Sequence, residues 1–154
     1  MDAEQLHAIE RECTAVLTQY RRHLDRHEFE QASTLFTPDV DWNMDGDRFV
    51  GREANVTAMS DFIGDLVIRH VFSNMIVTAT DADHATATYY MVMYRHRKSD
   101  MVDGKVSRVG PNHFLDLEDK LVRTQEGWRI SRRDCTTALR DATSVPTPTE
   151  IQAT

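Results

Sequence analysis

The chain has 154 residues, of which 40% are apolar and 28% charged, and this length can bury the core of one compact domain. Its net charge of −7 excludes a typical nucleic-acid-binding surface, because phosphate binding requires clustered lysine and arginine side chains. No apolar run approaches the roughly 18 residues that would cross a bilayer, and the N-terminus has no apolar signal region, so we expect a soluble protein with no membrane partner.

Two helices are predicted at the N-terminus. Apolar side chains recur at spacings of three, four and seven over residues 3–24, which is one face of an α-helix. Glu28–Phe36 continues as a second, shorter helix, and Pro38 and Asp39 then end the helical pattern.

A hairpin and a third helix follow. Residues 40–44 alternate between apolar and polar side chains, which predicts a half-buried strand, and Asp45-Gly46 is a strong hairpin signal. Arg48–Val50 can return as the partner strand. The segment Gly51–Gly64 is helical again, with apolar residues on one face.

Long strands are predicted in the C-terminal half, where threonine and tyrosine become frequent. They are Val67–Thr78, His84–Lys98, His113–Thr124 and Trp128–Leu139, with Ser99–Lys105 as a polar loop. Helices followed by a run of antiparallel strands indicate an α+β fold, with the helices on one face of the sheet.

Residues 1–140 are predicted to form one domain, in which a curved sheet wraps over the first helix and leaves a pocket between them. Residues 141–154 are rich in proline and threonine and have little to bury. We predict that this tail is flexible or lies across a neighbouring subunit.

The strand Val67–Thr78 carries a candidate catalytic base. Period-two alternation places five residues on one face, which is apolar apart from one histidine and one asparagine. These residues are Ile68, His70, Phe72, Asn74 and Ile76. His70 is either a hydrogen-bonded core histidine or, if this face lines a pocket, a neutral imidazole that can accept a proton near pH 7.

Asp25 is a second candidate, at the end of the first helix. A carboxylate there faces the negative end of the helix macrodipole, at a cost of roughly 0.3–1 kcal/mol. Arg21 and Arg22 lie four and three residues back and could pair with Asp25 on the surface. A functional role is the alternative explanation.

Five motifs support a family assignment. They are Tyr20-x4-Asp25, LFTPDVDWNMDG at Leu35–Gly46, FVGREA at Phe49–Ala54, RHVFSN at Arg69–Asn74 and GWRISRR at Gly127–Arg133. Together they resemble the SnoaL-like branch of the nuclear transport factor 2-like superfamily, over roughly residues 5–139. The resemblance implies a cone-shaped α+β barrel, with a highly curved, mostly antiparallel sheet wrapped over the N-terminal helix. Similar enzymes of this branch, dehydratases and a dehydrochlorinase, are cofactor-free and use an Asp and a His.

The resemblance also implies roles for single residues. Tyr20 and Asp25 stand where the Tyr-x4-Asp pattern has its catalytic pair, and His70 stands where these enzymes have the catalytic histidine. A further family aspartate falls near Tyr94 here, and a late family arginine falls near Thr137. The identity of the substrate is therefore not transferable.

The predicted chemistry is proton abstraction by His70. Asp25 would accept the other ring N–H, select the tautomer and stabilise the imidazolium that forms. The leaving group needs an acid or a hydrogen-bond donor, for which Tyr20, Tyr90 and Tyr94 are candidates. Tyr90 and Tyr94 share a strand face, and for either of them an ordinary half-buried strand residue is the alternative.

Candidate substrate-binding residues come from the hairpin and the long strands. They are Trp42, Asn43, Phe72, Asn74, Tyr90, Tyr94 and His113. Core packing is the alternative for Trp42, which otherwise would shape the pocket or contact an aromatic ring together with His113.

No metal or cofactor is predicted. His23 and His27 have the i, i+4 spacing of a helical metal pair, but a third ligand with supporting spacing is missing from the sequence. No glycine-rich phosphate loop is present either. The two distant cysteines, Cys13 and Cys135, favour a reduced cytoplasmic protein over a disulfide-bonded one.

The predicted function is that of a lyase that removes water or another small leaving group from a cyclic or aromatic small molecule. An isomerase or cyclase with the same base is one alternative, because these reactions also begin with proton abstraction. A non-catalytic module that binds a small molecule is the other.

Self-association is also predicted. A curved sheet leaves an outer face, on which period-two alternation places apolar residues that need to be covered. These are Val67, Val71, Met75, Met91 and Met93. We expect a homo-oligomer, a trimer by resemblance to the dehydratases or alternatively a dimer.

Overall fold

A computed structural model of the chain describes residues 1–106 and 110–141. Its helices are α1 (Ala3–Asp25), α2 (Phe29–Ser33) and α3 (Arg52–Ile63), with a short 3-10 turn at Lys98–Asp100. Its strands are β1 (Phe36–Met44), β2 (Asp47–Val50), β3 (Leu66–Ala79), β4 (His84–Arg97), β5 (Met101–Val102), β6 (Lys105–Val106), β7 (His113–Thr124) and β8 (Gly127–Arg140). The predicted tail, residues 141–154, lies outside the described residues except for Asp141.

Six strands form one curved sheet in the order β2-β1-β8-β7-β4-β3. All neighbouring pairs are antiparallel except β1 and β8, which run parallel. The strands β5 and β6 form a separate hairpin inside the predicted polar loop. The predicted α+β class, with a mostly antiparallel sheet around the N-terminal helix, is confirmed.

Helix α1 provides one wall of the core. It begins with a capping box, in which the Asp2 carboxylate accepts from the backbone N–H of Gln5 and the Gln5 side chain accepts from that of Asp2. Its buried face packs against the inner face of the sheet. The residues on that face are Ile9, Cys13, Leu17, Tyr20, Arg21 and Leu24.

The second helix is shorter than predicted. It ends at Ser33, and β1 begins at Phe36, within the predicted helical segment. The backbone N–H of Ile130 on β8 donates to the carbonyl of Leu35, so pairing with β8 decides the conformation there. Pro38 lies within the strand, at an irregularity of the β1–β8 register where its missing N–H breaks no ladder.

A bulge in β3 corrects the predicted face of that strand. Asn74 has φ 52°, and the register with β4 shifts between Ser73 and Ile76. The extra residue reverses the alternation, so Asn74 and Ile76 are exposed on the outer face. Met75, predicted outside, packs against the core instead.

The alternation of β4 is also the opposite of the prediction. Tyr90 and Tyr94 point outward, whereas Met91 and Met93 are buried on the inner face, where the prediction had placed them outside. The neighbouring Tyr89 explains this register, because its hydroxyl donates to the buried Asp119 carboxylate at 2.7 Å. Because buried polar groups need hydrogen-bond partners, Tyr89 faces Asp119, and the odd-numbered residues of β4 therefore point inward.

Candidate active site

Asp25 and His70 meet where the end of α1 reaches the edge strand β3. The Nδ1 atom of His70 lies 2.6 Å from Oδ1 of Asp25, and the backbone N–H of His70 donates to the same oxygen at 3.2 Å. The His70 side chain is 3% exposed and that of Asp25 is 18% exposed. These bonds offset the unfavourable position of a carboxylate at a helix C-terminus.

Burial keeps the imidazole of His70 neutral. Loss of solvent lowers its pKa from 6.5 to about 4, and the Arg21 guanidinium acts in the same direction, against the opposing effect of the Asp25 carboxylate. Because the carboxylate accepts a hydrogen bond, Nδ1 carries the proton and Nε2 keeps its lone pair. No described residue forms a hydrogen bond to Nε2, so this atom is available to a substrate proton.

The position of Asp25 depends on how α1 ends. The backbone N–H of Glu28 donates to the carbonyl of His23, and that of His27 donates to Leu24, both at 2.9 Å. This is a Schellman motif, with His27 at φ 60° where glycine is most common. The motif stops the helix at the residue that faces His70.

Neither arginine suggested by the helix spacing pairs with Asp25. Arg21 is buried and donates through Nη2 to the hydroxyl of Tyr89 at 3.4 Å, and Arg22 is exposed. Arg69 instead donates to the backbone carbonyl of Asp25 at 3.4 Å.

His70 lines a cavity of about 50 Å³ between α1, α3 and the inner face of the sheet. The other lining residues are Arg21, Leu24, Trp42, Met44, Met59, Phe62, Ile63, Ile68, Met91, Met93, Arg95, Leu115 and Cys135. Four of them are methionines, whose unbranched side chains adapt readily to the shape of a ligand. The lining contains two guanidinium groups and, among the described residues, no carboxylate.

Tyr20 is fully buried beside this cavity. Its hydroxyl lies 3.3 Å from Sδ of Met59, a lining residue, and burial raises its pKa. The Arg133 guanidinium lies over its ring at 4.3 Å from the centroid. The structure shows no hydrogen bond between Tyr20 and either Asp25 or His70.

The inner face of the sheet holds three of the predicted substrate-binding residues. Trp42 lines the cavity and donates through Nε1 to Sγ of Cys135 at 3.4 Å. Phe72 points inward and packs against Tyr89, with ring centroids 5.9 Å apart. His113 is buried behind the cavity and accepts a hydrogen bond from Arg95.

The other four lie away from the cavity. Asn43 is hydrogen-bonded to Asp134 on the outer face, and Asn74 is displaced there by the bulge. Tyr90, 54% exposed, and Tyr94 follow the outward alternation of β4. The structure therefore brings together His70, Asp25 and Trp42 but not these four side chains.

Sequence reasoning missed the buried arginines. Arg133 pairs with Asp119 through two hydrogen bonds of 2.7 and 2.9 Å, and both side chains are fully buried. Arg95 lines the cavity, yet in the sequence it stands among other basic residues, in the run YRHRK at Tyr94–Lys98. Only knowing which alternate residues of β4 face inward could have distinguished Arg95 from the other basic residues of the run.

Residues 1–106 and 110–141 contain no group of three or more His, Cys, Asp or Glu side chains arranged to hold a metal ion. Within the same part of the chain, none of the helices is long and apolar enough to cross a membrane.

Solved structures share this fold at low sequence identity. A candidate scytalone dehydratase from Novosphingobium aromaticivorans is 19% identical, with 89% of each chain covered and a TM-score of 0.72. A protein from Catenulispora acidiphila in complex with S-DNPA is 22% identical, with 85% of this chain and 94% of that chain covered and a TM-score of 0.71. ActVI-ORFA from Streptomyces coelicolor is 20% identical, with 82% and 95% covered and a TM-score of 0.70.

These neighbours define the class of fold, an α+β fold with a long N-terminal helix and a mostly antiparallel, curved sheet. The family model for the SnoaL-like domain matches residues 5–134, so the chain belongs to the SnoaL-like domain family. This family includes dehydratases and polyketide cyclases, while another structural neighbour, from Mycobacterium tuberculosis, is described as having no known function. Comparison with curated proteins found no match.

Proposed function

We propose that the protein is a cofactor-independent lyase that removes a proton and a small leaving group from a cyclic or aromatic small molecule. The observation that carries the proposal is the 2.6 Å contact between Nδ1 of His70 and the Asp25 carboxylate, with His70 on the cavity wall. A binding pocket alone has no need for an oriented, neutral imidazole. General-base catalysis by such a group contributes roughly 10²–10⁴-fold to a reaction rate.

The proton transfer follows from the tautomer. Nε2 of His70 takes a proton from substrate carbon or oxygen, and the carboxylate of Asp25 stabilises the imidazolium that results. The hydroxyl of Tyr20 lies 3.3 Å from Sδ of the lining residue Met59, and we retain Tyr20 as a candidate donor to the leaving group. Tyr90 and Tyr94 are not retained, because they face outward.

Substrate entry requires the cavity to enlarge. A space of about 50 Å³ holds one or two water molecules, since each occupies about 30 Å³ in the liquid, so a ring must displace side chains. Met44, Met59, Met91 and Met93 are suited to that adjustment. Isomerisation or cyclisation would use the same base and the same cavity, and product analysis separates these reactions from elimination.

A double-mutant cycle tests the pair. We expect His70→Ala to lower turnover by roughly 10²–10⁴-fold and Asp25→Asn to lower it by orders of magnitude, with the double variant scarcely worse than His70→Ala because the two residues act as a unit. Turnover would be measured on a panel of hydroxylated and aromatic small molecules, and the melting temperature on each variant.

The chain contains a matched control for this cycle. His84 and Asp81 form another histidine–aspartate pair at 3.0 Å, in which both side chains are 60% exposed. His84→Ala should leave turnover unchanged. A folded His70→Ala protein with full activity would exclude the catalytic role and favour a binding module. In a binding module, His70→Ala should lower only the free energy of unfolding, by roughly 1–3 kcal/mol for the lost buried hydrogen bond.

We also propose that the protein forms a homo-oligomer in the cytoplasm. Four opposed residues on neighbouring strands form an apolar row across the outer face of the sheet. The row consists of Val71, Val92, Phe114 and Leu139, of which Val71 is 53% and Leu139 65% exposed. A second copy of the chain can cover it. The two free, buried cysteines support a reducing compartment.

A further inference from the structure

Arg95 is a buried cation that no carboxylate neutralises within the described part of the chain. It lies on the inner face of β4, lines the cavity and is 3% exposed. With the described residues its side chain forms one hydrogen bond, from Nη1 to Nε2 of His113 at 3.3 Å. Because His113 accepts in this bond, its ring is neutral and does not compensate the guanidinium charge.

The fully buried Arg133 shows how this fold treats a structural arginine. Asp119 binds it through two oxygens, so that the charge and the fork of donors are both matched. Arg95 has nothing comparable. A guanidinium held out of water without a counter-ion is unfavourable, and a bound anion would relieve that cost.

The rest of the cavity adds to the positive charge. Arg21 also lines it and is held by the ring of Tyr20 and the hydroxyl of Tyr89. Burial lowers the pKa of Arg95 to about 10, with Arg140 contributing, so the group remains protonated at neutral pH. An apolar cavity that is lined by two cations and, among the residues described, by no carboxylate attracts anions.

Arg95 is also placed within reach of the base. In the β3–β4 register His70 opposes Met93 and Ile68 opposes Arg95, so His70 and Arg95 are diagonal neighbours on one face. Such positions are separated by roughly 7–8 Å. One small molecule can therefore present a carbon to Nε2 of His70 and an oxygen to the guanidinium.

We propose that Arg95 binds an anionic oxygen of the substrate, so that the protein acts on small acids or on carbonyl compounds that form an enolate at this point. The inference rests on the proposed function. When His70 takes the proton, the C–H electron pair forms the enolate, whose oxygen lies against Arg95. The enolate then expels the leaving group with its bonding pair, which forms a C=C bond to the neighbouring carbon. His70 can transfer its proton to the departing group.

Binding experiments test the proposal without turnover. For a substrate that brings a carboxylate, acetate should raise the melting temperature more than acetamide does, and benzoate more than benzamide; the smaller pair suits the unexpanded cavity. Arg95→Met keeps the side-chain volume and should weaken binding of the anions by roughly 10–100-fold, as expected for lost charged hydrogen bonds. Arg97→Met, on the exposed end of the same strand, is the matched control and should change nothing.

The two sources of the anionic oxygen are distinguished by a second probe. If the substrate brings a carboxylate, acetate and benzoate bind in preference to their amides. If the charge arises as an enolate, 4-nitrophenol shows the response instead, as an absorption shift to its ionised form that Arg95→Met abolishes. Arg95→Lys keeps the positive charge but loses the planar set of guanidinium donors, so it should bind anions more weakly than the wild type. This variant replaces Arg95→Met in the test if Arg95→Met does not fold.

Further outcomes separate this inference from the proposed function. His70→Ala should keep the preference for anions, because the base takes no part in binding them. If the wild type prefers none of the three anions, or Arg95→Met retains the preference, the inference is overturned even where His70→Ala abolishes turnover. An active His70→Ala protein that still binds anions would overturn the proposed function alone.

Discussion

His70 combines two properties that are rarely compatible in water, a free lone pair and a fixed orientation. Its ring is held by Asp25, and its surroundings remove the solvent that would stabilise the imidazolium. Burial without the carboxylate would leave the tautomer undefined, and the carboxylate without burial would raise the pKa. The pair thus produces a base that is neutral over most of the pH range.

The pH dependence of turnover follows from the pKa of His70, which is about 4. We expect kcat/KM to be constant above about pH 5 and to fall below it, as the imidazole is protonated before substrate binds. A pH–rate profile of the wild type measures this, with melting curves to confirm that the protein stays folded. A fall centred near pH 6.5 would mean that the base is exposed to solvent, contrary to the structure.

Stability should respond to pH over a related window. The pKa values of His70 and His113 are each lowered from 6.5 to about 4 in the folded protein. The unfolded chain therefore binds more protons between these values, so the free energy of unfolding decreases as pH falls from 6.5 towards 4. His70→Ala should reduce this slope relative to the wild type. Urea unfolding at several pH values checks the difference.

At the level of elements, the end of α1 and the bulge of β3 decide which side chains meet. The Schellman motif places Asp25 at the terminus, and Arg69 binds the exposed carbonyl of that residue. The bulge at Asn74 lies only four residues beyond His70 and reverses which alternate side chains of β3 face inward. Both features depend on a non-glycine residue in the left-handed region.

His27→Gly tests the helix terminus. A non-glycine residue at positive φ costs roughly 1–2 kcal/mol, and part of the gain is offset by the lost contact with Phe29, so we expect the free energy of unfolding to rise by about 0.5–1 kcal/mol. His7→Gly, in the exposed interior of the same helix, should lower it by about 0.3–0.5 kcal/mol, the difference in helix propensity between the two residues. Chemical denaturation measures both, and equal losses in the two variants would contradict the assigned motif.

For the whole molecule, curvature gives the sheet two unlike faces. The inner face holds the cavity, the methionines and the buried arginines. The outer face presents the apolar row defined above, at whose ends Val71 and Leu139 are exposed. Of the outer residues expected from sequence, Met75, Met91 and Met93 point inward, but the row provides other apolar surface for an interface.

The assembly can be tested by light scattering. We expect the wild type to form a trimer, or alternatively a dimer, and the Val71→Asp/Leu139→Asp variant to be monomeric because a buried interface would have to accept two charges. Thr78→Asp adds a charge elsewhere on the outer face of β3 and should leave the assembly intact. A monomeric wild type at micromolar concentration would rule the assembly out.

The sequence by itself determined the elements and the family, because these depend on local patterns. Helical periodicity predicted α1 over residues 3–24, and the strand-forming composition of the C-terminal half predicted β3, β4, β7 and β8 to within a few residues. The five motifs indicated the SnoaL-like family that the family model confirms. They also singled out Asp25 and His70, although their catalytic role stays a proposal.

Only the tertiary structure decided which way the side chains point. One bulged residue reverses the face of a strand, so Asn74 lies outside and Met75 inside. Which face of β4 points inward depends on the buried hydrogen bond between Tyr89 and Asp119, which are 30 residues apart in the chain. Arg95 lies on the same face of β4 as Tyr89 and therefore also points inward. Alternation along a strand defines two faces, but only the packing of the rest of the molecule decides which of them is buried.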